Sequence, residues 1–349
     1  MAMYLGSKKV AVTNTVEKQV PSMKAYFDAG GKCSYSTATS FDGCWQYDDT
    51  ANVTSMKMFF SGCTNLVTLP PFSTRMATNF SYMFNDCQKL VSIPDLDFSL
   101  VTTTELMFQR CYGLKEIGTL VLNKVTNASN MFNGCSGLSR VESISMQQSV
   151  NVESLFQGCT ALTEIKNLNI PNPTSVQYMF YNCSSLTSVP KVNTSGLRNV
   201  SRMFYNCSKL ASIPEIDTSS ATNLSELFYY CSSITTVPLL NTSKVTSMYN
   251  TFRGCSSLVS IPALDVSSVT DFYQAFASCN SLEEIHMVNI KQTFDISAST
   301  KFTREALLEI IGNLATLTST KKLTMGATNL AKLTDEDKAI ATNKGWTLA

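Results

Sequence analysis

Met203-Phe204-Tyr205-Asn206-Cys207-Ser208-Lys209-Leu210-Ala211-Ser212-Ile213-Pro214 is the stretch whose reading decides the architecture. Its cysteine recurs every 24 residues, at Cys63, Cys87, Cys111, Cys135, Cys159, Cys183, Cys207, Cys231, Cys255 and Cys279. Three positions before each stands phenylalanine, from Phe60 to Phe276, and three after each stands Leu or, once, Ile234. Ten units without an insertion mean that each unit is one small supersecondary element, too short to bury its apolar face alone, so that stacking supplies the core.

Inside a unit, Val245, Met248, Phe252 and Cys255 are spaced three, four and three, which predicts a helix of about two turns. Thr54, Thr78, Thr102, Thr126, Thr174, Thr222, Thr246 and Thr270 precede that segment and are expected to cap it, with Glu105, Glu153 and Gln177 completing capping boxes. Gly or Asn before the cysteine suits a left-handed helix end. Leu210, Ile213, Pro214 and Ile216 then predict a short strand, kept short because proline has no amide to donate, followed by a polar turn. The expected fold class is therefore an α/β solenoid of about ten 24-residue coils, each a short helix plus a short parallel strand. Residues 51–290 form the coils, 1–50 an N-terminal cap or attachment region, and 291–349 a C-terminal α/β cap.

The segment from Met203 to Pro214 resembles the repeat of BspA-like leucine-rich-repeat proteins, over roughly residues 51–290. That resemblance implies a leucine-rich-repeat-type solenoid of the kind found in bacterial surface adhesins and phage-encoded proteins. Met3-Tyr4-Leu5-Gly6-Ser7-Lys8-Lys9-Val10-Ala11 resembles the opening of phage tail-associated proteins, and Leu333-Thr334-Asp335-Glu336-Asp337-Lys338 through Gly345-Trp346 resembles endings of similar repeat proteins. No secretory leader, lipidated cysteine or anchoring tail is read from the sequence, which sets it apart from the adhesin pattern.

Toward the ends, Phe41-Asp42-Gly43-Cys44 reads as an irregular first coil. Thr303 to Ile311 predicts a stronger helix, Lys322 to Met325 a strand, and Asp335 onward a helix capped by Thr334 and stopped at Gly345 before Trp346.

The formal charge of +1, without a Lys/Arg run, lacks the footprint of a nucleic-acid binder. No apolar run is long enough to insert in a membrane. The cysteines lack the short Cys-x-x-Cys spacing of metal sites and read as reduced, buried core residues, with Cys33 and Cys44 outside the column. His286 is the only histidine and reads as a lone surface residue; hydrolase and nucleotide-loop motifs are missing, so no catalytic residue, metal or cofactor is expected. The Asp/Asn column Asp97, Asn169, Asn193, Asp217, Asn241, Asp265 and Asn289 is accounted for by Asx turns more simply than by calcium.

Two surface features break the uniformity. Tyr178, Tyr181, Tyr205, Tyr229, Tyr230 and Tyr249 cluster near the predicted helix ends, and Tyr181, Tyr205 and Tyr229 share one column. They read equally as a ligand platform of flat aromatic faces or as coil-to-coil packing. Lys115, Glu116, Arg140, Glu142, Glu164 and Lys166 form a charged block on the middle strands, expected to point outward by strand alternation and to form a solvated ladder. The function expected is non-catalytic binding: a phage virion protein, tail- or fibre-associated, that contacts a bacterial receptor or glycan and other virion proteins. The alternatives are a bacterial cell-surface adhesin and a purely structural virion spacer. Homo-oligomerisation stays open.

Overall fold

The computed structural model describes the backbone of strands Ala2–Leu5 and Lys8–Ala11, and residues 50–92 and 95–349. The expected coil at Phe41–Cys44, and Cys33, lie outside the described residues. The chain divides into two compact units, Met1–Thr174 and Ser175–Ala349, each a stack of 24-residue coils with its own core.

In the first unit the rings of Phe60, Phe84, Phe108, Phe132 and Phe156 stack face to face, with centroids 5.3, 5.2, 5.5 and 5.6 Å apart. In the second, Phe180, Phe204, Phe228, Phe252 and Phe276 do the same at 5.7, 6.0, 5.7 and 5.9 Å. Met, Leu, Ile and Val columns close around each stack.

The segment expected to be helical is instead a run of overlapping turns. Phe59, Ser61 and Cys63 donate their amides to the carbonyls three residues back, at 3.3, 3.1 and 3.1 Å, while Met58, Phe60 and Gly62 donate across to Ser81, Met83 and Asn85 of the next coil, at 2.9, 2.7 and 2.8 Å. Two residues per coil take left-handed backbone to allow this. One column is Met58, Tyr82, Leu106, Asn130 and Ser154 in the first unit, and Tyr178, Arg202, Glu226, Asn250 and Gln274 in the second, all with φ between +50° and +60°. For a non-glycine residue that conformation costs about 1–2 kcal/mol, and the inter-coil hydrogen bonds it aligns offset the cost. The threonines take a different part from the one expected. Thr78, Thr102 and Thr126 donate their hydroxyls to the carbonyl of the matching residue one coil back, at 3.1, 3.1 and 3.3 Å, as do Thr222, Thr246 and Thr270. With no helix to cap, Glu105 and Glu153 serve through their backbone carbonyls, and Gln177 accepts from the Asn199 side chain at 2.9 Å.

Glu116–Val121, Arg140–Ser145 and Glu164–Asn169, which contain no proline, make a parallel sheet in that order, with Glu116 opposite Arg140 and Arg140 opposite Glu164. Burial along them has period three, at Ile117 and Leu120, instead of the expected period two. In the second unit, Ser260–Asp265 pairs with Glu284–Val288 across an irregularity between Ile261 and Leu264 that accommodates Pro262.

The cysteine column is buried, and it also donates. Within each unit the thiols reach the carbonyl of a phenylalanine 27 residues earlier, as from Cys87 to Phe60, Cys207 to Phe180 and Cys231 to Phe204, all at 3.0 Å. Burial pushes the thiols of Cys87, Cys111, Cys135, Cys207, Cys231, Cys255 and Cys279 up, Cys231 to about 12, so these stay protonated and inert. Cys63 departs from the expectation of ten reduced cysteines: it is disulfide-bonded, to a partner outside the described residues. Alkylation in denaturant without reductant, read by mass spectrometry, is expected to label Cys87, Cys111, Cys135, Cys207, Cys231, Cys255 and Cys279 and to spare Cys63. Disulfides between successive column positions would contradict this packing.

After the last regular coil, helices Arg304–Gly312 and Asp335–Thr342 begin at Thr303 and Thr334, whose hydroxyls accept from Ala306 and Asp337. Arg304 clamps Asp337 with two hydrogen bonds of 2.8 and 2.7 Å, joining the helices. Strands Phe294–Asp295, Lys321–Thr324 and Trp346–Leu348 form a parallel sheet in that order. Trp346 is buried and donates to the Ala315 carbonyl at 2.9 Å. The short helix Ala327–Leu330 has no counterpart in the sequence reading.

Candidate binding surfaces

The repeat turns single residue choices into continuous columns, and the column two positions before the cysteine changes character between the units. In the first unit it carries Ser61, Asn85, Gln109, Asn133 and Gln157, of which Asn85 donates to Gln109 at 2.8 Å. In the second it carries Tyr181, Tyr205, Tyr229, Arg253 and Ala277. Tyr181, Tyr205 and Tyr229 stack in a continuous pile, with centroids 4.3 and 4.4 Å apart and planes within 15° and 13°. Arg253, which the sequence reading left out, places its guanidinium 5.7 Å from the Tyr229 ring and extends the pile.

Of the two readings of the tyrosine column, a platform of flat faces or coil-to-coil packing, the geometry shows the rings packed on one another. Both faces of Tyr205 are covered by its neighbours, so the half-buried pile offers ring edges and a row of hydroxyls. Burial, and then the flanking phenols, push the Tyr205 hydroxyl well above its usual range, so it stays a hydrogen-bond donor. Tyr178 tilts against Tyr181 at 5.8 Å and binds Arg202, which donates to the Tyr178 hydroxyl and pairs with Glu226. Tyr230 stands edge-on to Tyr229 at 4.6 Å with its far side exposed. Tyr249 stacks on exposed Tyr273 at 5.4 Å and pairs there instead.

The charged block of the first unit forms a ladder. Glu142 accepts from Arg140 at 3.2 Å and from Lys166 of the next strand at 2.9 Å. The Lys166 hydrogen bond is the main cause holding the Glu142 carboxyl below the usual carboxylate range. Glu116 and Glu164 flank Arg140 in the register. Exposed pairs of this kind add little stability.

Most of the Asp/Asn column makes the expected Asx turns: Asn193, Asp217, Asn241 and Asp265 each accept from the amide two residues on, at 3.1, 2.9, 3.2 and 3.0 Å, whereas Asn169 lies in a strand and Asn289 donates to Asp265 at 3.2 Å. Among the described residues no group of three or more His, Cys, Asp or Glu converges as a metal site, and no described helix is long and apolar enough to cross a membrane.

His286 ties the last coil strand to helix Arg304–Gly312, with Nδ1 2.8 Å from Glu309 and Nε2 3.5 Å from Glu284. The Glu309 hydrogen bond is the leading cause raising its pKa above 6.5. A raised folded-state pKa gives stability that is complete below the unfolded value and is lost as pH rises through the folded one. Stability is therefore expected to fall from about pH 6.5 upward, by less than about 0.5 kcal/mol because the pair is solvent-screened, with a matching small drop in melting temperature. The step should vanish in His286→Gln, and an identical pH slope in that variant would refute the assignment.

Taken together, these features define a solenoid repeat protein with columnar surfaces. The family described as "Mycoplasma protein of unknown function, DUF285" matches residues 22–145, 113–217, 138–238 and 199–306, well over half the chain, and the chain belongs to that family. Among solved structures, a leucine-rich repeat protein from Bacteroides ovatus is similar at 17% identity, over 84% of this chain and 86% of that one, with a TM-score of 0.35. The leucine-rich repeat protein of T. pallidum is similar at 16%, over 68% and 79%, with a TM-score of 0.25. The structure titled as the TLR13–ssRNA13 complex is similar at 11%, over 78% of this chain and 45% of that one, with a TM-score of 0.28. No curated protein matches the chain.

Proposed function

We propose that this chain is a non-catalytic binding protein whose second unit meets its partner along the tyrosine pile. The observation that carries the reading is the stack of Tyr181, Tyr205 and Tyr229, which repeats one hydroxyl-bearing edge at 4.3 and 4.4 Å and so offers an extended ligand several equivalent contacts. A stacked phenol is amphipathic and held with little freedom to lose, which favours recognition of sugars or protein surfaces. The one histidine is engaged with two glutamates, and the thiols of Cys87, Cys111, Cys135, Cys207, Cys231, Cys255 and Cys279 are buried and protonated, so neither supplies a nucleophile. The setting we propose is the surface of a phage particle, on the resemblance of Met3 to Ala11 to tail-associated proteins, with a host-cell receptor or glycan as the partner. Screening the purified chain against intact bacterial cells and a glycan panel tests it. Saturable binding to a subset is expected, and a uniform lack of binding would count against the reading.

A further inference from the structure

A separate groove of about 720 Å³ in the second unit crosses successive coils just after the strand positions. Its floor is the buried column Ile216, Leu240 and Leu264. One wall is the Asx-turn column Asn193, Asp217, Asn241 and Asp265; the other begins with the Lys191–Glu215 ion pair at 2.6 Å and continues as Leu239 and Ala263. Leu239 is 69% exposed, an unusual position for a large apolar side chain on a strongly polar turn surface. The groove sets one cation against three carboxylates, although the chain as a whole carries a formal +1. The carboxyls of Asp217 and Asp265 are held below the usual range, mainly by their hydrogen bonds to Ser219 and Ser267, and so are charged at neutral pH. At the same point of the repeat, the first unit has a groove of about 770 Å³ whose lining again sets three carboxylates (Asp95, Asp97, Glu116) against one cation, Lys124, beside exposed Val121.

We propose that the second-unit groove binds an extended basic peptide segment whose cationic side chains recur every third residue. The carboxylates that alternate with amides along the wall lie two coils apart, about 9.6 Å at a spacing of about 4.8 Å per coil. A polyproline II chain repeats its side-chain direction every three residues, about 9.3 Å, so successive cations meet Asp217 and Asp265 while the intervening residues lie against Leu239 and Ala263. Such a ligand is already extended and needs no backbone pairing with the groove, which matches a wall whose turn amides are occupied by the Asx side chains. This site stands apart from the tyrosine pile and does not depend on its role.

The test is fluorescence anisotropy of the full chain with three labelled peptides: a Lys-Pro-Pro repeat, a peptide of the same composition with its lysines clustered, and a Glu-Pro-Pro repeat. The Lys-Pro-Pro repeat is expected to bind at least ten-fold more tightly than the Glu-Pro-Pro repeat and several-fold more tightly than the clustered peptide. Asp217→Asn with Asp265→Asn should weaken it about ten-fold with an unchanged melting curve, because Asn already makes the same turn at Asn193 and Asn241. Leu239→Ser should weaken it at least three-fold. Equal binding of the acidic repeat, indifference to Asp217→Asn with Asp265→Asn, or no binding of the basic repeat would overturn the proposal. Preference for a cationic oligosaccharide such as a glucosamine oligomer over the peptide would overturn it too, in favour of a glycan. If the double variant fails to fold, the ranking of the three peptides on the unaltered protein still decides.

Discussion

Replacing Phe204 by alanine is expected to destabilise the protein by about 3–5 kcal/mol, the range for removing a large aromatic from a packed core. The ring is fully buried and lies between Phe180 at 5.7 Å and Phe228 at 6.0 Å. Its removal leaves a gap that neither neighbour can fill, because each is fixed by its own place in the stack. Because each coil contacts only its neighbours, the loss also weakens the two coil interfaces on either side. Denaturant unfolding measures the effect. A change below about 1 kcal/mol would mean that the phenylalanine column does not hold the coils together.

Gly137→Ala is expected to cost about 3 kcal/mol, at the upper end of what overpacking does. A Cβ at this position would lie 2.1 Å from the Tyr112 carbonyl oxygen of the preceding coil. That oxygen belongs to backbone and cannot swing aside as a side chain could, so the coils must separate locally. Gly118→Ala is the matched control in the same unit, since a Cβ there meets nothing within 4 Å, and it should be close to neutral. Equal thermal shifts for the two variants would show that the close coil approach at Gly137 is not part of the folded state.

The sequence made the columns legible and hid the backbone that carries them. Fixed spacing was enough to place Phe204 and Cys207 in a buried core, and the capping residues Thr303 and Thr334 marked where the last helices begin. Apolar residues spaced three, four and three fit a helix and a run of overlapping turns equally well, so the spacing alone does not distinguish them. What separates the two is a second left-handed residue in each coil, four positions before the one that Gly or Asn often marks, at a position that holds Met58, Leu106, Arg202 and Glu226, which carry no conformational signal of the kind glycine gives. Thr222 likewise looks the same whether its hydroxyl caps a helix or reaches back one coil. Arg253 could have been found by following the tyrosine column one unit further, since it stands 24 residues after Tyr229. The stacking of Tyr181, Tyr205 and Tyr229 was legible, because a shared column sets side chains one coil apart, and the rings do stack, at 4.3 and 4.4 Å.

The most direct test of a binding role for the tyrosine pile is to compare the unaltered chain with a variant carrying Tyr181→Phe, Tyr205→Phe and Tyr229→Phe, using whichever cells or glycans the screen identifies. Phenylalanine keeps the stack and removes only the row of hydroxyls, so the melting temperature should barely move. The expected result is at least a ten-fold loss of affinity at unchanged stability. Unchanged affinity in a folded triple variant would contradict the account and leave the pile as packing alone.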